Sequence, residues 1–315
     1  MKRRSFLTFG AAGIAGSALP GLTLKESKSA KQQEARFQNG KSPWPICLDT
    51  ATIRPASLEE KVRIASEAGY DAIEPWDGEL EEYEAEGGNL KDLGSQIKDL
   101  GMFVPSVIGL WNALPPNKAQ WDESLVDTRR RMRMASDIGS HHVQTIPNTV
   151  GDNYDVKWVA NRYKDIIEIG IGEYNIKPAL VFVKFFPLKT MGQAAAVAFD
   201  SNHAEAMIIP DTYHMHISEG GFEGLKKING NMIAIFQFAD APASSSIDSL
   251  GDADRVYPGD GILPLPSILR DLKSSGYKGC ISLELYNPEY WERDLQEVAT
   301  VGLRKTLEVI EEANV

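Results

Sequence analysis

The chain has 315 residues, 43% of them hydrophobic, and a formal net charge of −11. This length suits one large α/β barrel or two ordinary domains, and the apolar content is enough for a full core. The acidic balance, with no basic block after the N-terminal segment, argues against a nucleic-acid partner.

Residues 1–30 are interpreted as a leader that is not part of the fold. Residues 2–7, KRRSFL, form a twin-arginine pattern, and a weakly apolar run rich in Gly and Ala follows. This run is too short and too weakly hydrophobic for a convincing membrane span, so we expect no stable span after leader removal. An uncleaved anchor is the alternative. The leader predicts twin-arginine export of the folded protein to the periplasm or cell envelope.

A helical pattern, then a glycine or asparagine, then a short apolar run recurs along the rest of the chain. The first such helix begins with a capping-box pattern from Ser57 to Glu60 and ends at Gly69, which can adopt the left-handed conformation. With the opening run, the apolar segments cover residues 45–52, 71–76, 103–108, 141–146, 178–183, 206–211, 232–238 and 280–285.

Eight such alternations predict a parallel sheet, because helices connect parallel strands. We therefore predict an α/β fold of the (β/α)8 TIM-barrel type over residues 45–315, joined to the leader by a linker over residues 31–44. A doubly wound open sheet is the rival. It has no reason to stop at eight units, and no GxGxxG motif follows the first strand.

Polar residues end or interrupt the last apolar segments. Asp211 closes the sixth, Gln237 interrupts the seventh and Glu284 the eighth, with His214 and Asp240 close behind. Catalytic groups of such barrels lie at the carboxyl ends of the strands, and a buried charge there must be paired or bound to a metal. Oxygen donors suit Mn²⁺ or Mg²⁺, with Co²⁺ or Zn²⁺ as further options. For each residue alone, a hydrogen-bonded core group is the competing interpretation; together they predict a divalent-metal site.

Four short motifs resemble the xylose-isomerase-like sugar isomerases and epimerases, with the hydroxypyruvate isomerase and inosose dehydratase branches nearest. They are DTYH at 211–214, FQFAD at 236–240, RVYPGDG at 255–261 and SLE at 282–284. The resemblance covers about residues 45–312 and implies that Asp211, Gln237 and Glu284 bind the metal.

Position 181 departs from the family pattern. The resemblance implies a metal-binding glutamate on strand five, and this chain has Val181 there. Valine can neither bind a metal nor move a proton, so one ligand and one base are missing. Glu74 on strand two and Lys184 beyond strand five are polar candidates nearby, but neither has the position of a replacement.

Three further residues are assigned to substrate binding. Trp76 and Trp111 follow strands two and three, where they could stack on a sugar ring; packing residues are the equal alternative. Arg255 could bind substrate hydroxyls or a carboxylate with its planar guanidinium, and a solvated loop arginine is the competing interpretation.

The resemblance and these residues together imply a metal-dependent isomerase, epimerase or lyase that acts on a keto-sugar or keto-glycoside through an enediolate. The expected export to the periplasm argues for a non-phosphorylated substrate. Glu284 is the expected general base and His214 its partner. One base can support isomerisation or elimination, whereas the missing glutamate weighs against epimerisation. The alternative is a non-catalytic carbohydrate-binding barrel that lost activity with that glutamate. An endonuclease is disfavoured by the acidic charge and the five histidines, and a homo-oligomer remains an open option.

Overall fold

The computed structural model describes residues 37–218, 220–244 and 246–315. The predicted leader, with its twin-arginine pattern, lies outside the described residues. Among the described residues, no helix is both long and apolar enough to cross a membrane.

Eight parallel strands run through the described residues. They are β1 (Ile46–Asp49), β2 (Ala72–Glu74), β3 (Ser106–Leu110), β4 (His142–Thr145), β5 (Lys177–Val181), β6 (Met207–Ile209), β7 (Phe236–Phe238) and β8 (Ile281–Leu283). Hydrogen bonds order them as β2-β1-β8-β7 and β3-β4-β5-β6. Parallel bridges from Trp76 to Ile108 and from Asp211 to Gln237 join the two groups. The strands therefore close in chain order, and the predicted TIM barrel is confirmed.

The α-helices of the described residues follow or connect these strands. They are α1 (Leu58–Ala68), α2 (Asp77–Ala85), α3 (Leu90–Asp99), α4 (Lys118–Asp137), α5 (Val156–Tyr174), α6 (Met191–Asp200), α7 (Thr212–Ile217), α8 (Leu265–Ser274), α9 (Pro288–Trp291) and α10 (Leu295–Ala313). The predicted ends of α1 are confirmed. Ser57 Oγ accepts a hydrogen bond from the Glu60 amide, and Gly69 ends the helix at φ 92°.

Two apolar layers line the two faces of the barrel wall. The larger lies between strands and helices, and the smaller fills the barrel interior. Alternation along β5 shows the division, since Leu180 packs in the outer layer while Ala179 and Val181 pack in the inner one. Val181 therefore faces the interior at the carboxyl end of its strand.

The strands are shorter than the apolar segments from which they were predicted. Strand β6 ends at Ile209, and the Asp211 carboxylate accepts hydrogen bonds from the amides of Tyr213 and His214 at 2.7 and 3.2 Å. Asp211 is thus the N-cap of α7, and His214 lies on a helix rather than on a strand or a loop.

The end of the segment predicted as a linker packs against the barrel. Trp44 is 1% exposed, and its indole N–H donates to the Tyr277 carbonyl at 3.1 Å. Ser42 is also buried. Where the structure describes this segment, its last residues therefore belong to the barrel, because they cover the amino end of β1.

Candidate active site at the carboxyl end of the barrel

A cavity of about 130 Å³ lies among the loops that follow the strands. Its polar lining consists of Gln144, Asp211, His214, Gln237, Asp252, Arg255 and Glu284, and its aromatic lining of Trp76, Trp111, Phe185, Phe186 and Tyr286. The structure thus brings together every residue that the sequence analysis assigned to metal binding, catalysis or substrate binding.

The guanidinium of Arg255 occupies the centre of the polar lining and is 1% exposed. Its Nη2 donates to Asp211 Oδ2 at 2.7 Å and to Asp252 Oδ1 at 3.1 Å. Its Nη1 lies 3.1 Å from Glu284 Oε2. One buried cation therefore joins three carboxylates, two of which follow β6 and β8 and one of which lies at residue 252.

Two tyrosine rings cover the guanidinium. The Arg255 Cζ lies 4.8 Å from the ring centre of Tyr213 and 5.2 Å from that of Tyr286. Burial alone would lower the pKa of Arg255, but the charges of Asp211 and Glu284 outweigh burial and hold that pKa above its usual value. Arg255 is therefore a fixed positive charge, and the expectation of a solvated loop arginine is wrong.

Glu284 accepts hydrogen bonds through one carboxylate oxygen and forms an ion pair through the other. Its Oε1 accepts from Gln237 Nε2 at 3.0 Å and from the Tyr286 hydroxyl at 2.9 Å, while Oε2 faces Arg255. Burial raises the pKa of Glu284 well above its usual range, against the opposing charge of Arg255. A carboxyl group in a cavity with a raised pKa is suited to general acid–base catalysis.

His214 is a neutral, buried neighbour of this pair. Its Nε2 lies 3.3 Å from Arg255 Nη2. Because a guanidinium only donates, Nε2 must accept, and the ring proton belongs on Nδ1. Nδ1 is buried without a hydrogen-bond partner among the described residues. Burial lowers the pKa of His214, although the charge of Asp211 opposes this. His214 thus keeps one unpaired N–H donor.

The two predicted stacking residues form one aromatic wall. The rings of Trp76 and Trp111 are stacked at 5.9 Å, and Tyr286 meets Trp76 edge-on at 5.9 Å. The Trp111 indole donates to Asp77 Oδ1 at 3.1 Å, and Arg131 Nε lies 3.1 Å from Asp77 Oδ2. Hydrogen bonding therefore holds Trp111 in its orientation beside the cavity.

Asp240 organises the loop that carries Arg255. Its carboxylate accepts from the amides of Gly259 and Gly261 at 3.0 and 3.1 Å and from that of Leu263 at 2.9 Å. A side chain at Gly261 would collide with the Ala241 carbonyl oxygen at 2.2 Å, and Gly259 has φ +85°. The glycines of the RVYPGDG motif are thus required by this turn, and Asp240 supports the site without lining the cavity.

Sequence analysis did not assign the acidic layer below the cavity to the site. Glu74 is fully buried and accepts from Gln144 Nε2 at 2.6 Å and from Ser282 Oγ at 2.8 Å. Burial raises the pKa of Glu74, and burial together with the charge of Glu74 raises that of Asp49. The polar Gln144 inside an apolar segment was a usable signal. Asp252 carried none, because it lies in a single 3-10 turn (Asp252–Asp254) between β7 and α8.

The predicted metal ligands do not fit a divalent cation in the arrangement observed. Asp211 Oδ2 and Glu284 Oε2 are the partners of Arg255, and Gln237 directs its amide N–H, not its oxygen, toward Glu284. Val181 lines the cavity with hydrocarbon. Within the described part of the chain, no group of three or more His, Cys, Asp or Glu residues is arranged to hold a metal. Lys184 pairs with Asp248 at 2.8 Å and does not replace the missing glutamate.

Comparison with known proteins places this chain in a family. The model described as xylose isomerase-like TIM barrel matches residues 62–306. The inosose isomerase of Bacillus subtilis is 26% identical over 277 residues, which cover 84% of this chain and 97% of that protein. The match to the inosose isomerase of Bacillus licheniformis is 32% identical but covers 44% of this chain and 50% of that protein.

Two more distant relatives extend the comparison. The 3-dehydroshikimate dehydratase of Pseudomonas aeruginosa is 24% identical over 80% of this chain and 39% of its own length. A crystal structure of IolI protein with a binding zinc atom superposes with a TM-score of 0.78 at 24% identity, covering 85% of this chain and 99% of that one. The superposition supports the same barrel fold.

Proposed function

Because the chain belongs to the xylose isomerase-like TIM barrel family, we propose that it is an enzyme that isomerises a neutral keto-sugar or keto-cyclitol by proton transfer beside the carbonyl. The observation that carries this proposal is the Glu284 carboxyl, which lines the cavity between Arg255, Gln237 and Tyr286. The two Bacillus relatives are named inosose isomerases, which supports isomerisation. The Pseudomonas relative is named a dehydratase, so elimination is the related alternative reaction.

Glu284 is the base of the proposed reaction. Its carboxylate takes the proton from the hydroxyl-bearing carbon beside the substrate carbonyl, and the electron pair moves to the carbonyl oxygen to form an enediolate. The proton of the neighbouring hydroxyl passes to that oxygen, and the same carboxyl returns its proton to the former carbonyl carbon, so that the carbonyl now stands on the neighbouring carbon. A raised pKa makes Glu284 the stronger base for the first step, and Arg255 and the Tyr286 hydroxyl stabilise the negative charge that develops. The unpaired Nδ1–H of His214 would hydrogen-bond a substrate hydroxyl.

The charge balance of the cavity supports a neutral substrate. Asp211, Asp252 and Glu284 surround the single guanidinium of Arg255. Even with Glu284 protonated, two carboxylates outweigh one cation, so a phosphate or carboxylate group would be repelled. The aromatic wall offers an apolar face for the C–H side of a sugar ring.

A single base favours isomerisation over epimerisation. Epimerisation normally needs a second group that delivers a proton to the opposite face of the substrate. At the position of the family's strand-five glutamate, Val181 lines the cavity with methyl groups and cannot deliver a proton. The other two cavity carboxylates, Asp211 and Asp252, accept hydrogen bonds from Arg255 at 2.7 and 3.1 Å, whereas the contact of Glu284 with Arg255 is an ion pair without a hydrogen bond. Glu284 is thus the acid–base group on which the proposed reaction depends.

A substrate panel tests the proposal. Neutral keto-cyclitols and keto-sugars, each beside its phosphorylated counterpart, would be incubated with the protein and followed by NMR. We expect conversion of a neutral member only, and a loss of about 10²- to 10⁴-fold in Glu284→Gln. Glu308→Gln, whose side chain is 53% exposed, is the matched control and should keep full activity. Saturable sugar binding without conversion of any member would instead favour the carbohydrate-binding alternative.

A further inference from the structure

We propose that Arg255 is the resident cation of this site, so that the protein works without the divalent metal that its carboxylates suggest. The guanidinium takes the central position among Asp211, Asp252 and Glu284, where a metal would otherwise bind. Only the activity measurement in the test below rests on the proposed function, because metal binding can be measured without a substrate.

The oxygen atoms needed by a metal are already used. A divalent cation binds oxygens at about 2.0–2.6 Å. Asp211 Oδ2 instead accepts a hydrogen bond from Arg255 Nη2 at 2.7 Å, and Glu284 Oε2 forms an ion pair with Arg255 Nη1 at 3.1 Å. A metal between these oxygens would have to displace the guanidinium from its place between the rings of Tyr213 and Tyr286.

The hydrocarbon side chain of Val181 is consistent with a site whose cation is the guanidinium of Arg255. A guanidinium is neutralised by carboxylates around its edge and needs no ligand from β5, whereas a hard divalent cation seeks six or more oxygens. Val181 is 4% exposed and belongs to the apolar layer inside the barrel. A hydrocarbon at this position suits a site whose cation is a side chain, and it would leave a bound metal short of an anionic ligand.

The backbone holds Arg255 firmly in this position. Its carbonyl accepts from Asn287 Nδ2 at 3.0 Å, and the next residue, Val256, pairs with Asp240 through hydrogen bonds of 3.0 and 3.1 Å. Asp240 in turn fixes the glycines that follow. Because the main chain at the arginine and after it is anchored, the guanidinium position is built into the loop.

The test measures metal binding and catalysis separately on the full chain. Titration with Mn²⁺ and with Zn²⁺ should show no saturable binding to the natural protein, and a chelator should leave proton exchange on keto-cyclitols unchanged. Arg255→Gln frees Asp211 and Glu284, so we expect its metal affinity to exceed that of the natural protein by at least about tenfold. Arg304→Gln, in an exposed pair with Glu308, is the control and should not differ from the natural protein.

The outcomes separate this inference from the proposed function. Stoichiometric metal in the natural protein, with exchange lost on chelation, would overturn it. No exchange under any condition together with no metal binding would reject the proposed function and still support Arg255 as the cation. Tight metal binding without exchange would reject both. If Arg255→Gln does not fold, metal analysis and chelation of the natural protein decide the question without a variant.

Discussion

Arg255 Nη1 lies 3.1 Å from Glu284 Oε2, and the two side chains are 1% and 5% exposed. The contact joins the proposed base to the only guanidinium in the cavity lining. A buried pair of this kind adds little net stability over an apolar pair, but its disruption is costly because one charge is left without a partner. The pair therefore affects both stability and chemistry.

Arg255→Met should lower the free energy of unfolding by about 3–5 kcal/mol, because Asp211 and Glu284 would lose their buried counter-charge. Urea unfolding at neutral pH measures this. Arg304→Met, which removes an exposed pair with Glu308, should cost less than about 1 kcal/mol. Equal costs for the two variants would contradict the central role assigned to Arg255.

His142 should make the fold sensitive to acid. Burial lowers its pKa from 6.5 to about 4, and its Nδ1–H donates to the Pro105 carbonyl at 3.0 Å. Between these two pKa values the unfolded chain binds the proton more readily, so stability is lost as pH falls from about 6.5 toward 4. Unfolding measured across this range should show a shallower decline for His142→Gln. His141→Gln, at the exposed neighbouring residue, is the control. An equal effect of His141→Gln would contradict the assignment of the acid sensitivity to His142.

Trp111→Ala should weaken substrate binding more than turnover. The indole lies in the aromatic wall against Trp76, so its contact with the substrate would be similar in the ground and transition states. An aromatic contact of about 0.5–1.5 kcal/mol predicts a two- to tenfold rise in KM with kcat little changed. Trp158→Ala, outside the cavity lining, is the control. A large fall in kcat alone would contradict a binding role.

We propose that the protein is exported through its twin-arginine leader. Arg3→Lys combined with Arg4→Lys should leave the precursor in the cytoplasm, because the pattern in residues 2–7 depends on the arginine pair. Fractionation of cells that express each form measures this. Unchanged export of the double variant would indicate another route.

Much of the barrel follows from local sequence. The helix ends at Ser57 and Gly69 and the eight apolar segments are set by capping and burial, which act over short distances. The residues at the ends of β6, β7 and β8 could likewise be assigned to one mouth, since parallel strands bring their carboxyl ends together.

The central role of Arg255 could not be predicted in this way. Its position depends on a loop folded around Asp240, and on carboxylates that approach from β6, β8 and residue 252. No local pattern shows that a guanidinium, and not a metal, joins these carboxylates. The start of α7 at Asp211 could not be predicted either. An aspartate is common both at the end of a strand and as a helix N-cap, so the residue type alone does not distinguish the two.

Solvent deuterium incorporation into a neutral keto-cyclitol, measured by NMR with a chelator present, tests the account most directly. The natural protein should place deuterium at the carbon beside the carbonyl, and Glu284→Gln should do so about 10²- to 10⁴-fold more slowly. Exchange by Glu284→Gln at the natural rate, or exchange that appears only when a divalent metal is added, would contradict the account.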